Sequence, residues 1–290
     1  VRAFEPLKAF FSRAREVVAQ GFSDAIPSSS SKPFAIVGVK ACDLKGFKVQ
    51  DSVFMPSDAQ DPVYTRNRTA NLVISADCTC SIETCFCLAM GVQPFPQENF
   101  DINLSRVANG YVVSVGSPKG ETVVKMNSLL FEKAKPEAIA ERDALRRGVV
   151  QSVEKNLREN NVPMETALPG KIQKNFHSDI WQDEAKTCVE CGACNTICPT
   201  CHCFLLYDQK EGAGRADKTR MERFRIWDSC MIKDFARVAG NGNPRKALWM
   251  RLRNRFEKKF DFFPKVSGIT ACTGCGRCIS ACPAKIDIRR

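Results

Sequence analysis

The chain has 290 residues, 44% of them hydrophobic, enough for a sizeable core and about two domains. Its 16 cysteines lie in spaced groups rather than across a short secreted scaffold, which points to a reducing compartment and predicts a cytoplasmic protein. No apolar run approaches the roughly 20 residues that span a bilayer, no signal peptide is visible ahead of the first motifs although the chain opens on Val1, and the formal charge of +11 comes without a nucleic-acid motif.

The first predicted element is a helix from about Glu5 to Gln20, with Leu7, Phe10, Phe11, Ala14, Val17 and Val18 on one face. Ile26 to Pro33, with four serines in a row, reads as a linker or surface loop. Phe34 to Val39 is a short buried strand ending just before Cys42, and Asn71 to Ala76 is a second, ending just before Cys78. Phe100, Ile102 and Leu104 alternate, and Asn109-Gly110 separates them from Tyr111, Val113 and Val115, a hairpin signal. From Pro136 the period becomes helical, with Leu145, Val149, Val153 and Leu157 four apart until Asn160-Asn161-Val162-Pro163. The expected fold class is α+β: a mixed α/β domain over 1–135 carrying a cysteine site, a helical connector over 136–177, and an α-helical dicluster ferredoxin-type domain over 178–290.

Two runs in the last domain carry the chemistry. Cys188-Val-Glu-Cys191-Gly-Ala-Cys194-Asn-Thr-Ile-Cys198-Pro199 and Cys272-Thr-Gly-Cys275-Gly-Arg-Cys278-Ile-Ser-Ala-Cys282-Pro283 are both C-x2-C-x2-C-x3-C-P, the spacing with which bacterial ferredoxins hold 4Fe–4S clusters. Three cysteines so spaced reach three irons of one cubane, and the fourth ligates the other cluster. The expected sets are therefore crossed: Cys188, Cys191 and Cys194 with Cys282, and Cys272, Cys275 and Cys278 with Cys198. Structural zinc also uses paired C-x2-C, but has no use for a third close cysteine and a Cys-Pro in both runs. The long segment between the motifs resembles the α-helical ferredoxin domains of fumarate reductase and heterodisulfide reductase subunits, so helices are expected there.

Cys42, Cys78, Cys80, Cys85 and Cys87 form a third constellation, just after strand ends where α/β layers place their functional loops. A third 4Fe–4S cluster is expected from them, against the alternative of buried apolar thiols, and the spacing does not fix which four of the five would ligate. Cys201, Cys203 and Cys230 are expected to pack against the cluster that Cys198 serves; the alternative is a further metal site that includes His202. A four-thiolate cluster around an oxidised core carries −2, so two clusters lower the formal +11 to +7 and three lower it to +5. Part of the basic excess therefore reads as compensation. Arg245 to Lys259 is the densest basic stretch, and Leu248, Leu252, Phe256 and Phe260 make it an amphipathic helix with a cationic outer face, either solvated or a docking surface for an acidic partner. No G-x-G-x-x-G follows a strand, so no flavin or NAD(P) site is expected in this chain.

Val39-Lys40-Ala41-Cys42-Asp43-Leu44, Glu83-Thr84-Cys85-Phe86-Cys87, Cys198-Pro199-Thr200-Cys201-His202-Cys203-Phe204, Trp227-Asp228-Ser229-Cys230 and Ile286-Asp287-Ile288 occur in order around the two ferredoxin motifs. Together, from about Phe34 to the C-terminus, they resemble the family that unites sulfhydrogenase beta subunits with the iron–sulfur subunits of anaerobic sulfite reductase. The resemblance implies an iron–sulfur protein that passes electrons between a flavin-containing, NAD(P)H-oxidising partner and a catalytic subunit of the hydrogenase, sulfite reductase or heterodisulfide reductase kind. It implies Cys42, Cys78, Cys85 and Cys87 as ligands of the extra cluster, with Cys80 a departure, and a chain short at its N-terminus. The rival function is an enzyme whose N-terminal cluster binds substrate at an open iron; an iron–sulfur sensor would want an effector or DNA-binding module, and none is seen.

Overall fold

The computed structural model of the chain describes residues 2–21, 32–163, 170–210 and 221–289. The helix expected over Glu5 to Gln20 is replaced by a single 3-10 turn at Leu7–Phe10 and a strand, β1, at Arg15–Gln20. Phe11 is wholly buried, edge-on to Phe47 with ring centroids 4.9 Å apart, so the apolar spacing is satisfied by irregular chain. Beyond it Val17 and Val18 are β-branched and favour an extended run once a partner strand exists. Most of the loop expected at 26–33 lies outside the described residues.

The first half otherwise builds the mixed sheet the sequence predicts. β2 (Ala35–Val39) leads into α1 (Ala41–Phe54) and α2 (Pro62–Ala70), and the chain returns as β3 (Leu72–Ala76), parallel to β2. Asp61 caps α2, accepting from the Tyr64 N–H at 2.7 Å, with Pro62 at the first helical position. β4 (Ile102–Val107) adds parallel to β3, and β5 (Gly110–Val115) folds back on β4 as the expected hairpin, giving the order β2-β3-β4-β5. Gly110, at φ 140, supplies the backbone angle the tight turn requires. Ile36, Val39, Leu44, Phe47, Phe54, Tyr64 and Val73 form the core between sheet and helices, each worth about 2 kcal/mol of burial. This β-α-β arrangement sends the chain out of β2 and β3 at the same end of the sheet. α3 (Pro118–Met126) follows, then α4 (Pro136–Glu159), which buries Val149, Val153 and Leu157 of the predicted period and leaves Leu145 exposed.

Short helices α5 (Lys171–Lys174), α6 (Ile180–Ala185) and α7 (Ala193–Thr196) lead into the segment between the motifs. That segment opens as strands where helices are expected. β6 (Phe204–Lys210) and β7 (Met221–Trp227) pair antiparallel, and β1 adds to the other edge of β7. The register sets Glu16 opposite Arg225, whose buried guanidinium binds the Glu16 carboxylate at 2.6 Å and also reaches Asp61. Aromatic and branched residues in both runs suit this ribbon. α8 (Leu248–Glu257) continues through a π-helical turn at Lys258–Phe262 into α9 (Phe263–Ser267), and α10 (Arg277–Ala281) ends the fold. The first twenty residues thus complete a sheet that belongs to the motif region, and contacts cross the expected boundary at 135. Among the described residues no helix is long and apolar enough to cross a membrane.

Candidate metal centres

The two motifs turn in the same way. Gly192 and Gly276, each directly after a second motif cysteine, sit at φ 70 and start α7 and α10 in the left-handed region that glycine adopts freely. α7 and α10 pack together, which brings the two motifs side by side. Cys188, Cys191, Cys194 and Cys282 line one cavity, closed by Leu252 and Phe256 of α8. Cys198 lies beside Cys272 and Cys278, and Cys278 beside Cys275. Cys278 also reaches the first cavity, so the two groups adjoin.

The third group forms where β2 and β3 end. Cys42 lies in the first turn of α1, Cys78 follows β3, and Cys85 and Cys87 come from the loop and 3-10 turn beyond it; with Cys80 and Cys275 they line one cavity. Cys80 is exposed and the other four are half-buried or buried. Residues outside the cysteine set hold this loop. Arg146 of α4 binds Asp77 at 2.7 Å, the Asn103 amide donates to Asp77 at 2.9 Å, and Lys40 donates to the Asp77 carbonyl at 2.8 Å. Also from α4, Ser152 meets Ser81 at 2.6 Å and Asn156 donates to the Ile82 carbonyl at 2.7 Å. The second motif lies flush against the loop: Phe86 N–H donates to the Gly274 carbonyl at 2.8 Å, and a Cβ on Gly276 would stand 2.1 Å from the Thr84 carbonyl oxygen.

Cys201, Cys203 and Cys230 share a larger cavity of about 470 Å3 with His202. Cys201 lies beside Cys198. His202 donates from Nδ1 to the Thr200 carbonyl at 3.2 Å, and burial pushes it down to about 4, so it stays neutral near pH 7.

Three charges of the basic stretch are turned inward while Lys246 and Lys258 stay exposed, which corrects in part the cationic outer face expected of it. Arg251, Arg255 and Lys259, four residues apart, are all buried, while Arg253 stacks on Phe176 with 3.5 Å to the ring centroid. Lys259 donates to Cys198 Sγ at 3.3 Å, Thr200 Oγ1 at 2.8 Å and the Ala271 carbonyl at 3.0 Å. Arg255 lies among Cys194, Cys278, Cys201 and Cys198, held by Asn195 Oδ1 at 2.8 Å. Arg277 pairs with Asp43 at 2.8 Å and faces Cys275 and Cys42. Arg2 donates to the Cys275 carbonyl at 2.5 Å, and Lys8 to the Cys201 carbonyl at 2.6 Å. Every thiol group therefore has a cation against it. Burial pushes Cys87 and Cys272 up to about 12 and Cys278 to about 11, so these thiols must lose protons to a metal in order to bind it.

This donor set fits iron–sulfur clusters. Among the described residues no three Cys, His, Asp or Glu side chains meet closely enough to hold a single ion. The sulfurs surround cavities, as they must when each thiolate reaches a separate iron, and buried cations stand by to offset the −2 of each four-thiolate cluster.

Comparison with known proteins agrees. Residues 187–286 match the family model of a 4Fe-4S dicluster domain. The chain is 31% identical over 287 residues to the sulfhydrogenase 2 subunit beta of Pyrococcus furiosus, an alignment that covers 99% of this chain and 81% of that protein. No solved structure matches.

Proposed function

The chain belongs to the family of sulfhydrogenase beta subunits and anaerobic sulfite reductase iron–sulfur subunits, and from that premise we propose that it relays electrons between a flavin- and NAD(P)-linked partner and a catalytic subunit. In this reading three 4Fe–4S clusters are held by Cys188, Cys191, Cys194 and Cys282; by Cys272, Cys275, Cys278 and Cys198; and by Cys42, Cys78, Cys85 and Cys87. Such clusters gain and lose single electrons at potentials set by burial, hydrogen bonds and nearby charge. What supports an exchange of fourth cysteines is that Cys282 lines the cavity of Cys188, Cys191 and Cys194, while Cys198 lies near Cys272 and Cys278.

The chain's own residues do the tuning. Lys259 and Arg255 stabilise negative charge on the sulfurs they face and so favour the reduced state. Gly274 and Gly276 let the second motif approach the Cys85 to Cys87 segment, which puts Cys275 among the N-terminal thiols. That contact makes the second motif's cluster the natural link between the other two. The rival reading, an open iron that binds substrate, needs a site short of thiols, and five cysteines of the N-terminal half line that cavity.

Anaerobically prepared protein should carry at least about 12 irons per chain, and replacing Cys78 and Cys85 with serine should remove about four of them while both motif clusters keep their spectra. Stoichiometric zinc in place of iron would overturn the reading, and an unchanged iron content in the Cys78/Cys85 variant would remove the third cluster.

A further inference from the structure

Twelve of the 16 cysteines are assigned above, and of the other four Cys201, Cys203 and Cys230 are brought together by the β6–β7 ribbon. Cys201 and Cys203 lead into β6, and Cys230 follows β7. The register sets Phe204 opposite Trp227, and Asp228 N–H donates to the Cys203 carbonyl at 3.0 Å, which closes the ribbon's mouth. Cys203 Sγ then accepts from the Cys230 N–H. The same N–H to sulfur contact occurs at Cys188, from Glu190, and at Cys272, from Gly274. Buried Asn195 ties the new group to the first motif: its Nδ2 donates to Cys230 Sγ at 3.0 Å, and its Oδ1 lies 3.6 Å from Cys201 Sγ and 3.9 Å from Cys194 Sγ.

Charge makes a second, independent argument. Arg255, Lys258 and Lys259 line this cavity and no carboxylate does. Lys8 is buried against it, with Cys201, Cys198 and Cys203 as its neighbouring thiols. The cluster proposed through Cys198 answers Lys259, whose ammonium touches that sulfur. Lys258 stands exposed at the cavity's rim, where the thiols near it are Cys203 and Cys230. Burying Lys8, Arg255 and Lys259 around this cavity is costly unless negative charge faces them, so the cavity favours an anionic occupant. A single ion does not suit it, because the sulfurs here, like those of the other groups, do not converge on one point.

We propose that Cys201, Cys203 and Cys230 hold a further iron–sulfur cluster, with His202 as the nitrogen donor beside its fourth corner. Binding exchanges three S–H bonds for three Fe–S bonds and releases three protons. His202 suits that place because its Nδ1–H is spent on the Thr200 carbonyl, which leaves Nε2 with a lone pair. The inference rests on the reading of the chain as an iron–sulfur protein. It adds an electron site next to Cys198, under a rim on which Phe204, Phe262 and Val266 are exposed.

The test is anaerobic reconstitution of the whole chain with ferrous iron and sulfide, comparing wild type with the C203S/C230S variant. The variant should bind about four fewer irons, with the spectra of the two motif clusters retained. Equal iron in both proteins would overturn this inference alone, whereas a wild type that binds no iron would overturn the iron–sulfur reading itself. A second measurement needs no variant. In iron-loaded wild type, Cys201, Cys203 and Cys230 should resist iodoacetamide until a chelator strips the iron. Their prompt labelling in the loaded protein, or a Cys203–Cys230 disulfide there, would overturn the proposal.

Discussion

The two ferredoxin motifs share one spacing and one glycine-started helix, yet they face different surroundings. The first lies at the surface: Cys191 is exposed, Val189 is 64% exposed, and the Glu190 partner of Arg251 is itself 40% exposed. The second is embedded, with Thr273 and Arg277 buried and its glycines pressed onto the Cys85 loop. The spacing is the same in both, while the residues packed around each motif decide how much water and charge it meets. Since burial and hydrogen bonding set cluster potentials, equal motifs can hold unequal clusters, an outer one suited to exchange with a partner and an inner one suited to relay.

The sharpest way to break the comparison is at the charge pairs. Asp43→Ala would leave Arg277 buried without its carboxylate and should cost about 3 kcal/mol in denaturant unfolding of the anaerobic protein. Glu190→Gln, at the water-facing pair of the first motif, should cost under about 1 kcal/mol. Similar costs for the two would contradict the inner and outer assignment.

The matched glycines make the next test. Gly276→Ala would set a Cβ against the Thr84 carbonyl and should cost roughly 3 kcal/mol, with loss of iron from the N-terminal group. At Gly192 the closest neighbour is the Ser229 side chain at 3.2 Å, so Gly192→Ala carries chiefly the strain of a positive φ, about 1 kcal/mol. A smaller effect concerns potential alone. Lys259→Met should lower the midpoint potential of the cluster assigned to Cys198, because a cation favours the added electron, and should shift the outer cluster less; redox titration followed by electron paramagnetic resonance reads both.

Much of this is legible in the sequence where the signal is local. The strands at 34–39 and 71–76, the Asn109-Gly110 hairpin and α4 each follow from a period within one element. β1 is not, because Leu7, Phe10, Phe11, Ala14 and Val18 also fit a helix, and the strand that claims Glu16 begins two hundred residues later in the chain. The ribbon of β6 and β7 escapes for a related reason: likeness to α-helical ferredoxin domains outweighs the aromatic, branched composition of Phe204 to Tyr207 and Phe224 to Trp227, which suits strands. The cysteines are legible from spacing, and their cations are not. Arg251, Arg255 and Lys259 form a stripe that reads as a solvent face until thiols are seen opposite it. Asn195, Arg146 and Lys8 carry no signal at all, since each acts through a partner remote in sequence.

Exchange of the fourth cysteines is the claim on which the account turns, and Cys198→Ala tests it most directly. Mössbauer and electron paramagnetic resonance spectra of the anaerobic variant should show loss or conversion of the cluster assigned to Cys272, Cys275 and Cys278, with the cluster of Cys188, Cys191 and Cys194 intact although it is nearer in sequence. Loss of the Cys188 cluster with the other unchanged would contradict it.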